Sequence, residues 1–529
     1  MENNHRKDAV KNGETALGIE FGSTKIKAIL LTRDFDLVAS GSHDWASSYK
    51  DGVWTYSLDD VWDGLRDCYQ KLADCVQNQY GLKLKKIGCI GISAMMHGYL
   101  AFDSSGRLLT PYRTWQNTIT GAASSKLSSL FRFNIPQRWS VSHLYQAILN
   151  GENHTSRIAF LTTLAGYVHW KLTGQKVLGI GDASGMFPID SRKSDYDGGM
   201  LEAFQSLLPP RYPWKLRELL PRVLVAGESA GKLTADGARL LDPSGNLQAG
   251  IPVCPPEGDA GTGMVATNSV SAQTGNVSAG TSIFSMAVLE KPLKKYYPEI
   301  DMVTTPTGNP VAMVHCNNCT NDMNAWVSLL GEFSEMMGIN AGFDSIYPKF
   351  YRKALEGDPD CGGLVVYNYL AGEPVTGVMK GRPMLIRTPN SRFTLANFCR
   401  ASIYATLATL KIGMDILAGE NVTIKRLTGH GGLFRHAGTG AKFLAAALGV
   451  PVSTMETAAV GGPFGMAVLA AYCMEKANDE KLEEFLSKRV YAGTKITVTQ
   501  PDPSDAAGFK SFLARFKAGL AAEKAAEKI

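Results

Sequence analysis

Three glycine clusters and one aspartate set among small residues are where this chain could do chemistry. Gly22-Ser23-Thr24 and Gly280-Thr281-Ser282 each join a glycine to two hydroxyl side chains. Glycine lets backbone approach a phosphate closely, while consecutive amides and a hydroxyl aim donors into one concavity. Either turn alone reads more simply as the bend of a hairpin, and it is the pairing that favours a polyphosphate held by both. A third cluster, Gly429-His430-Gly431-Gly432, follows the strand-like Ile424–Thr428 and precedes an alanine-rich helical stretch over residues 438–448. Strand, glycine turn, helix is a setting in which a nucleotide lies against bare backbone. The cluster has neither the dinucleotide-fingerprint spacing nor a Walker lysine.

Asp259 stands among Pro256, Gly258, Ala260 and Gly261, which would let a substrate approach closely. Phosphoryl transfer needs alignment, charge neutralisation and one base to accept the attacking hydroxyl's proton, and a carboxylate suits that role. The plainer alternative is a turn or helix-cap aspartate. His97 follows the apolar run Ile87–Ser93 on a methionine-rich loop, as a core histidine or as a pocket wall. In the pocket reading its ring can donate or accept a hydrogen bond, Trp115 offers an apolar face, and Asn117 can both donate and accept. Cys316-Asn317-Asn318-Cys319 has the spacing of half a zinc site or a redox pair, but no second pair follows it.

These groups must be carried by elements, and the local pattern supplies them twice. Ala16–Phe21, the turn at Gly22 and Lys25–Leu31 read as a hairpin, extended by a third strand after Asp34-Phe35-Asp36. A helix is predicted over Leu58–Tyr80 and a strand over Ile87–Ser93. The same strand, Gly-Thr/Ser turn, strand plan recurs at residues 276–289, which suggests duplicated domains with a boundary between Asp259 and Ser278. A length of 529 residues agrees with two domains.

Residues 1–14 are polar and lack a signal-peptide core, so a disordered tail and a cytoplasmic chain are expected. The net charge of +5 is interspersed rather than striped, which argues against nucleic acid. No uncharged apolar run reaches the about 18 residues of a membrane span. The nearest, Ala458–Cys473, is broken by Gly461, Gly462, Pro463 and Gly465. Nine cysteines, an odd number in a long chain, read as free thiols.

In order along the chain, Ile19-Glu20-Phe21-Gly22-Ser23-Thr24, Ser93-Ala94-Met95-Met96-His97-Gly98, Asp182-Ala183-Ser184-Gly185, Gly258-Asp259-Ala260, Ser278-Ala279-Gly280-Thr281-Ser282 and the late glycine cluster resemble the FGGY carbohydrate kinases. The Met-His-Gly element is similar to that of xylulokinases. The resemblance implies two ribonuclease-H-like α/β domains of the actin and sugar-kinase architecture flanking a deep catalytic cleft. Residues 15–266 would form the sugar-binding domain, residues 267–500 the ATP-binding domain, and residues 501–529 a helical tail. It also implies Asp259 as catalytic base. Met96, His97, Trp115, Asn117 and Asp259 become sugar contacts, and Gly22, Ser23, Thr24, Gly280, Thr281, Ser282, Gly431 and Gly432 contact ATP. Glu20 and Asp259 fall on the Mg²⁺ side.

The sequence departs from the family pattern at several points. Glu20 stands where most relatives have aspartate, and Tyr404 replaces the acidic residue that usually ends the stretch Asn397–Ile403. Ser140–Leu144 lacks a family lysine, and Trp115-Gln116-Asn117-Thr118 differs from the Trp-Asn-Asp common in xylulokinases. The reading is an ATP- and Mg²⁺-dependent ketopentose kinase, D-xylulose first and L-ribulose second, with glycerol or a hexulose behind. A sugar or nucleotide sensor on the same fold is the alternative class. An actin-like or Hsp70-like ATPase is disfavoured by the Met-His-Gly and Asp-Ala-Ser-Gly elements. The expected partners are a sugar and ATP, without nucleic acid or membrane, and the sequence leaves monomer or homodimer open.

Overall fold

The computed structural model describes residues 2–435, 438–455 and 461–529. The chain divides into two compact units, the first formed by Met1–Val270, Met302–Val311 and Val460–Thr494, the second by the remainder. The division after Val270 falls inside the window predicted from the repeated hairpins. The units are not contiguous in sequence: residues 302–311 and 460–494 fall with the first.

Unit 1 is built on strands β1 (Thr15–Phe21), β2 (Lys25–Thr32), β3 (Leu37–Asp44), β4 (Cys89–Ala94) and the short β5 (Glu257–Gly258), in the order β5-β4-β1-β2-β3. β1 pairs antiparallel with β2 and parallel with β4. The segment expected as a disordered tail is instead helix α1 (Glu2–Asn12), because Ala9 and Val10 among its charged neighbours are buried, Val10 within the apolar core of the unit. Helix α2 (Leu58–Tyr80) has the predicted limits. The Ser57 hydroxyl accepts from the Asp60 amide at its start, and Gly81 ends it with φ 68°. Helix α3 (Asp259–Ala266) follows β5 directly.

Unit 2 repeats the plan. β6 (Thr274–Ala279), β7 (Ile283–Val288), β8 (Ile300–Thr304), β9 (Pro310–Cys316), β10 (Arg426–Gly431), β11 (Val452–Met455) and β12 (Ile496–Thr499) form a sheet ordered β8-β9-β7-β6-β10-β11-β12. β6 is antiparallel to β7 and parallel to β10, as β1 is to β2 and β4. Helix α4 (Leu395–Gly419), the one described helix long and apolar enough to cross a membrane by length and composition, is mostly buried. Helix α5 (Thr439–Leu448) follows the late glycine cluster.

The chain then returns to unit 1 as helix α6 (Gly462–Glu475), which covers part of the stretch Ala458–Cys473; residues 456–460 lie outside those described. A side chain at Gly18 of β1 would begin 2.2 Å from the Pro463 carbonyl, and one at Gly465 would begin 2.0 Å from that of Thr262. Glycine at both positions is what lets α6 lie directly on β1 and α3. The last helix, α7 (Pro503–Ala526), belongs to unit 2 and is no appended tail. Its Phe509 and Phe512 edges meet Tyr404 at 4.9 and 5.5 Å. Its buried Asp505 pairs with Arg400 of α4. An acidic side chain at position 404 would have no place among these rings, which accounts for that departure.

Candidate active site

Asp259 occupies the first turn of α3, where its Oδ1 accepts from the Met96 amide at 3.1 Å. The methionine of the Met-His-Gly loop thus fixes the carboxylate through its backbone. Crowding by protein pushes the Asp259 carboxyl above its ordinary value, against the pull of the Met96 and Ala260 amides.

The loop itself is held in an unusual conformation, with φ 74° at His97 and 91° at Gly98. A non-glycine residue in that region carries strain, which persists only where its surroundings fix it. Here the Ser140 hydroxyl donates to the Gly98 carbonyl, and the Gly98 amide donates to the Arg138 carbonyl at 3.2 Å. His97 is buried, stacked near-parallel to Trp139 at 6.2 Å, and its Nδ1 donates to the Gly185 carbonyl at 3.2 Å. That bond assigns the proton of the neutral ring to Nδ1 and makes Nε2 an acceptor. The glycine of Asp-Ala-Ser-Gly has a reason in this packing: a Cβ on Gly185 would fall 2.6 Å from His97 Nδ1.

The other expected sugar contacts separate. Trp115 is exposed. Asn117 is buried with its amide committed: Oδ1 accepts from the Trp54 amide at 2.8 Å, and Nδ2 donates to the carbonyls of Trp54 and Thr114 at 2.8 and 3.0 Å. It braces the segment that presents Trp115, and its amide is already spoken for.

Sequence reasoning passed over several groups that stand close by. Asp182 is buried; Oδ2 accepts from the Thr163 hydroxyl at 2.6 Å, and Oδ1 meets no hydrogen-bond partner among the described residues. Burial, with Glu257 and Asp259 nearby, raises its carboxyl well above the usual range. The Tyr112 hydroxyl and Trp139 Nε1 are likewise buried without a described partner. Asp182 lay inside a motif already singled out; Tyr112 and Trp139 had no local signal. Behind them Glu257 accepts from the Gly181 and Asp182 amides at 3.3 and 2.9 Å, and burial pushes it to about 8.

Glu20, the penultimate residue of β1, is in register with Lys27 on one side and Ser93 on the other. Burial and the charge of Asp259 push its carboxyl to about 7, against the pull of Lys27. Among the described residues no three His, Cys, Asp or Glu side chains group to hold a metal. Two neighbouring carboxylates nonetheless fit Mg²⁺, which keeps several waters and takes one or two carboxylates besides substrate phosphates.

Both hairpin turns have their carbonyls held from behind. In unit 1 the Trp45 indole donates to Gly22 O and the Tyr56 hydroxyl to Ser23 O, each at 2.7 Å. In unit 2 the Thr320 hydroxyl donates to Gly280 O at 2.8 Å and the Cys319 amide to Thr281 O at 3.1 Å. The Cys316–Cys319 stretch therefore serves as the backing of a turn, with both thiols buried and pushed upward. Gly431, predicted in a turn, still belongs to β10; its φ is 94°, and a Cβ there would fall 2.4 Å from Ala279 O. Gly432 opens the single helical turn that follows.

Two family models match this chain, the N-terminal domain of the FGGY family of carbohydrate kinases over residues 15–266 and the C-terminal domain over residues 275–474. The chain belongs to the FGGY family of carbohydrate kinases. It is 24% identical over 354 residues to a xylulose kinase from Haemophilus influenzae, covering 65% of this chain and 67% of that protein. With an L-fuculokinase from Escherichia coli it shares 27% over 254 residues, 45% of this chain and 49% of that one. The crystal structure of a xylulose kinase from Lactobacillus acidophilus shares the fold at 16% identity, with a TM-score of 0.78 over 96% of this chain and 99% of that one.

Proposed function

We propose that the protein transfers the terminal phosphoryl group of ATP to a ketopentose, D-xylulose before L-ribulose, giving the 5-phosphate and ADP. The observation that carries this reading is Asp259, fixed by the Met96 amide on the loop that also places His97. The sugar hydroxyl oxygen forms a bond to the terminal phosphorus, the bond from that phosphorus to the ADP oxygen breaks, and Asp259 takes the hydroxyl proton. His97 Nε2 accepts from a second sugar hydroxyl, while Trp115 covers the carbon skeleton. Gly22–Thr24 and Gly280–Ser282 meet phosphates with their amides and hydroxyls, and Gly431–Gly432 meet the adenosine. Mg²⁺, held on the side of Glu20 and Asp259, would neutralise phosphate charge.

The named relatives support a ketose but span more than one sugar, so the test is a substrate panel. ADP release should be stimulated most by D-xylulose, then by L-ribulose, over glycerol and hexuloses. If no ketose or polyol raises ADP release above buffer, the kinase reading fails. The sensor reading, favoured by glutamate at position 20, would then take its place.

A further inference from the structure

At the end of β1 the longer acid of this chain meets a gap in the first turn of α6. A Cβ built on Gly462 would fall 1.3 Å from Glu20 Oε2, 2.5 Å from Glu20 Cδ and 3.1 Å from the Thr262 hydroxyl oxygen. The Glu20 carboxylate therefore occupies the volume that any other residue at position 462 would fill. That volume is fixed on three sides. Glycines 18 and 465 seat α6 against β1 and α3, and the Thr262 hydroxyl lies 3.3 Å from that of Ser93, the residue paired with Glu20 across β4. Gly462 itself has no need of glycine for its backbone, since its φ lies outside the left-handed region that Gly461 occupies at 73°. An alanine would suit the first turn of a helix better.

We propose that Gly462 is a positioning residue matched to Glu20: its missing side chain leaves room for the carboxylate that the extra methylene of the glutamate carries forward, and so sets where that carboxylate stands beside Asp259. This rests on the reading that places Glu20 on the Mg²⁺-phosphate side of the transfer. The atom displaced by a Cβ is the tip of a flexible side chain, so Gly462→Ala is accommodated by Glu20 swinging away, and the fold survives with its acid misplaced. An aspartate at position 20, one methylene shorter, has no such conflict.

The test is a double-mutant cycle with kcat, sugar KM, Mg²⁺ half-saturation and Tm measured for each variant. Gly462→Ala is expected to lower kcat by about tenfold or more and to raise the Mg²⁺ half-saturation, with Tm and sugar KM near wild type. Glu20→Asp alone supplies the second background, and its own kcat is the reference for that arm of the cycle. Combining the two is expected to restore the double variant to within about threefold of Glu20→Asp. Wild-type kinetics in Gly462→Ala, or a loss equally large in both backgrounds, would overturn the pairing. Should Gly462→Ala fail to fold, recovery of a wild-type melting transition in the double variant supports the pairing, and failure in both backgrounds rejects it. Glu20→Gln separates the two levels: if its kcat and Mg²⁺ dependence are those of wild type, the functional reading of Glu20 falls. If activity is lost but the cycle is additive, only the match with Gly462 falls.

Discussion

The two hairpins of this protein share a topology and differ in what surrounds them. Each carries a glycine and two hydroxyls at its bend, and each lies beside a parallel third strand. In unit 1 the strand before the bend carries Glu20 one residue from its end, with Asp259 and the strained Met-His-Gly loop nearby. The counterpart of Glu20 in unit 2 is Ser278, and the residue after it, Ala279, crowds Gly431 with its carbonyl. One copy of the plan has gathered carboxylates suited to proton transfer and metal charge; the other has kept bare backbone suited to a nucleotide.

The sharpest way to break that division is Asp259→Asn. The loss of a proton acceptor without loss of shape is expected to lower kcat by about 10²- to 10⁴-fold, with both KM values nearly unchanged. Turnover near wild type would return Asp259 to the role of a helix-start residue. On the other side, Gly431→Ala forces a Cβ against backbone at a positive φ, and is expected to raise the ATP KM by about tenfold or more while leaving the sugar KM in place. Equal effects on both would remove Gly431 from the nucleotide contacts. His97→Ala is the mirror test, with a sugar KM raised by about tenfold and an ATP KM within about twofold.

The smallest effect is on stability. Burial raises Glu257 to about 8 from the ordinary 4.5, so the folded state binds its proton more tightly than the unfolded chain. Its contribution is full below the unfolded value and is lost as pH rises through about 8. The wild-type Tm should therefore fall between pH 6 and 9 more steeply than that of Glu257→Gln, by a few degrees. Asp182, raised by the same burial, leaves part of the slope in the variant. Parallel curves would mean that Glu257 is charged throughout.

Hairpins, the limits of α2 and the boundary near residue 270 were legible because they are local: apolar alternation, turn glycines and a cap are written within a few neighbouring residues. The candidate site was proposed from ordered motifs, of which the structure joins Met96 to Asp259 and His97 to Gly185. Asn117 was expected as a sugar contact, but no sequence pattern shows that its amide already serves Trp54 and Thr114. Tyr112 and Trp139 reach the neighbourhood through packing alone. The helix at residues 2–12 escaped because two apolar residues among charges give a weak period. Gly462 was read as a breaker of an apolar run; its meaning depends on Glu20, close to the other end of the chain.

That long reach also bears on how the protein is made. β1 and β4 leave the ribosome early, yet α6, which packs against β1, is translated after nearly all of unit 2. Until it arrives, the glycine-floored face of β1 stays uncovered, an apolar surface of the kind that draws chaperones or neighbouring nascent chains. Vectorial folding that would let a simple N-terminal domain finish first is denied to this one. A stalled or truncated chain lacking residues 461–494 is accordingly expected to aggregate through unit 1 even where unit 2 has every strand up to β11 in place.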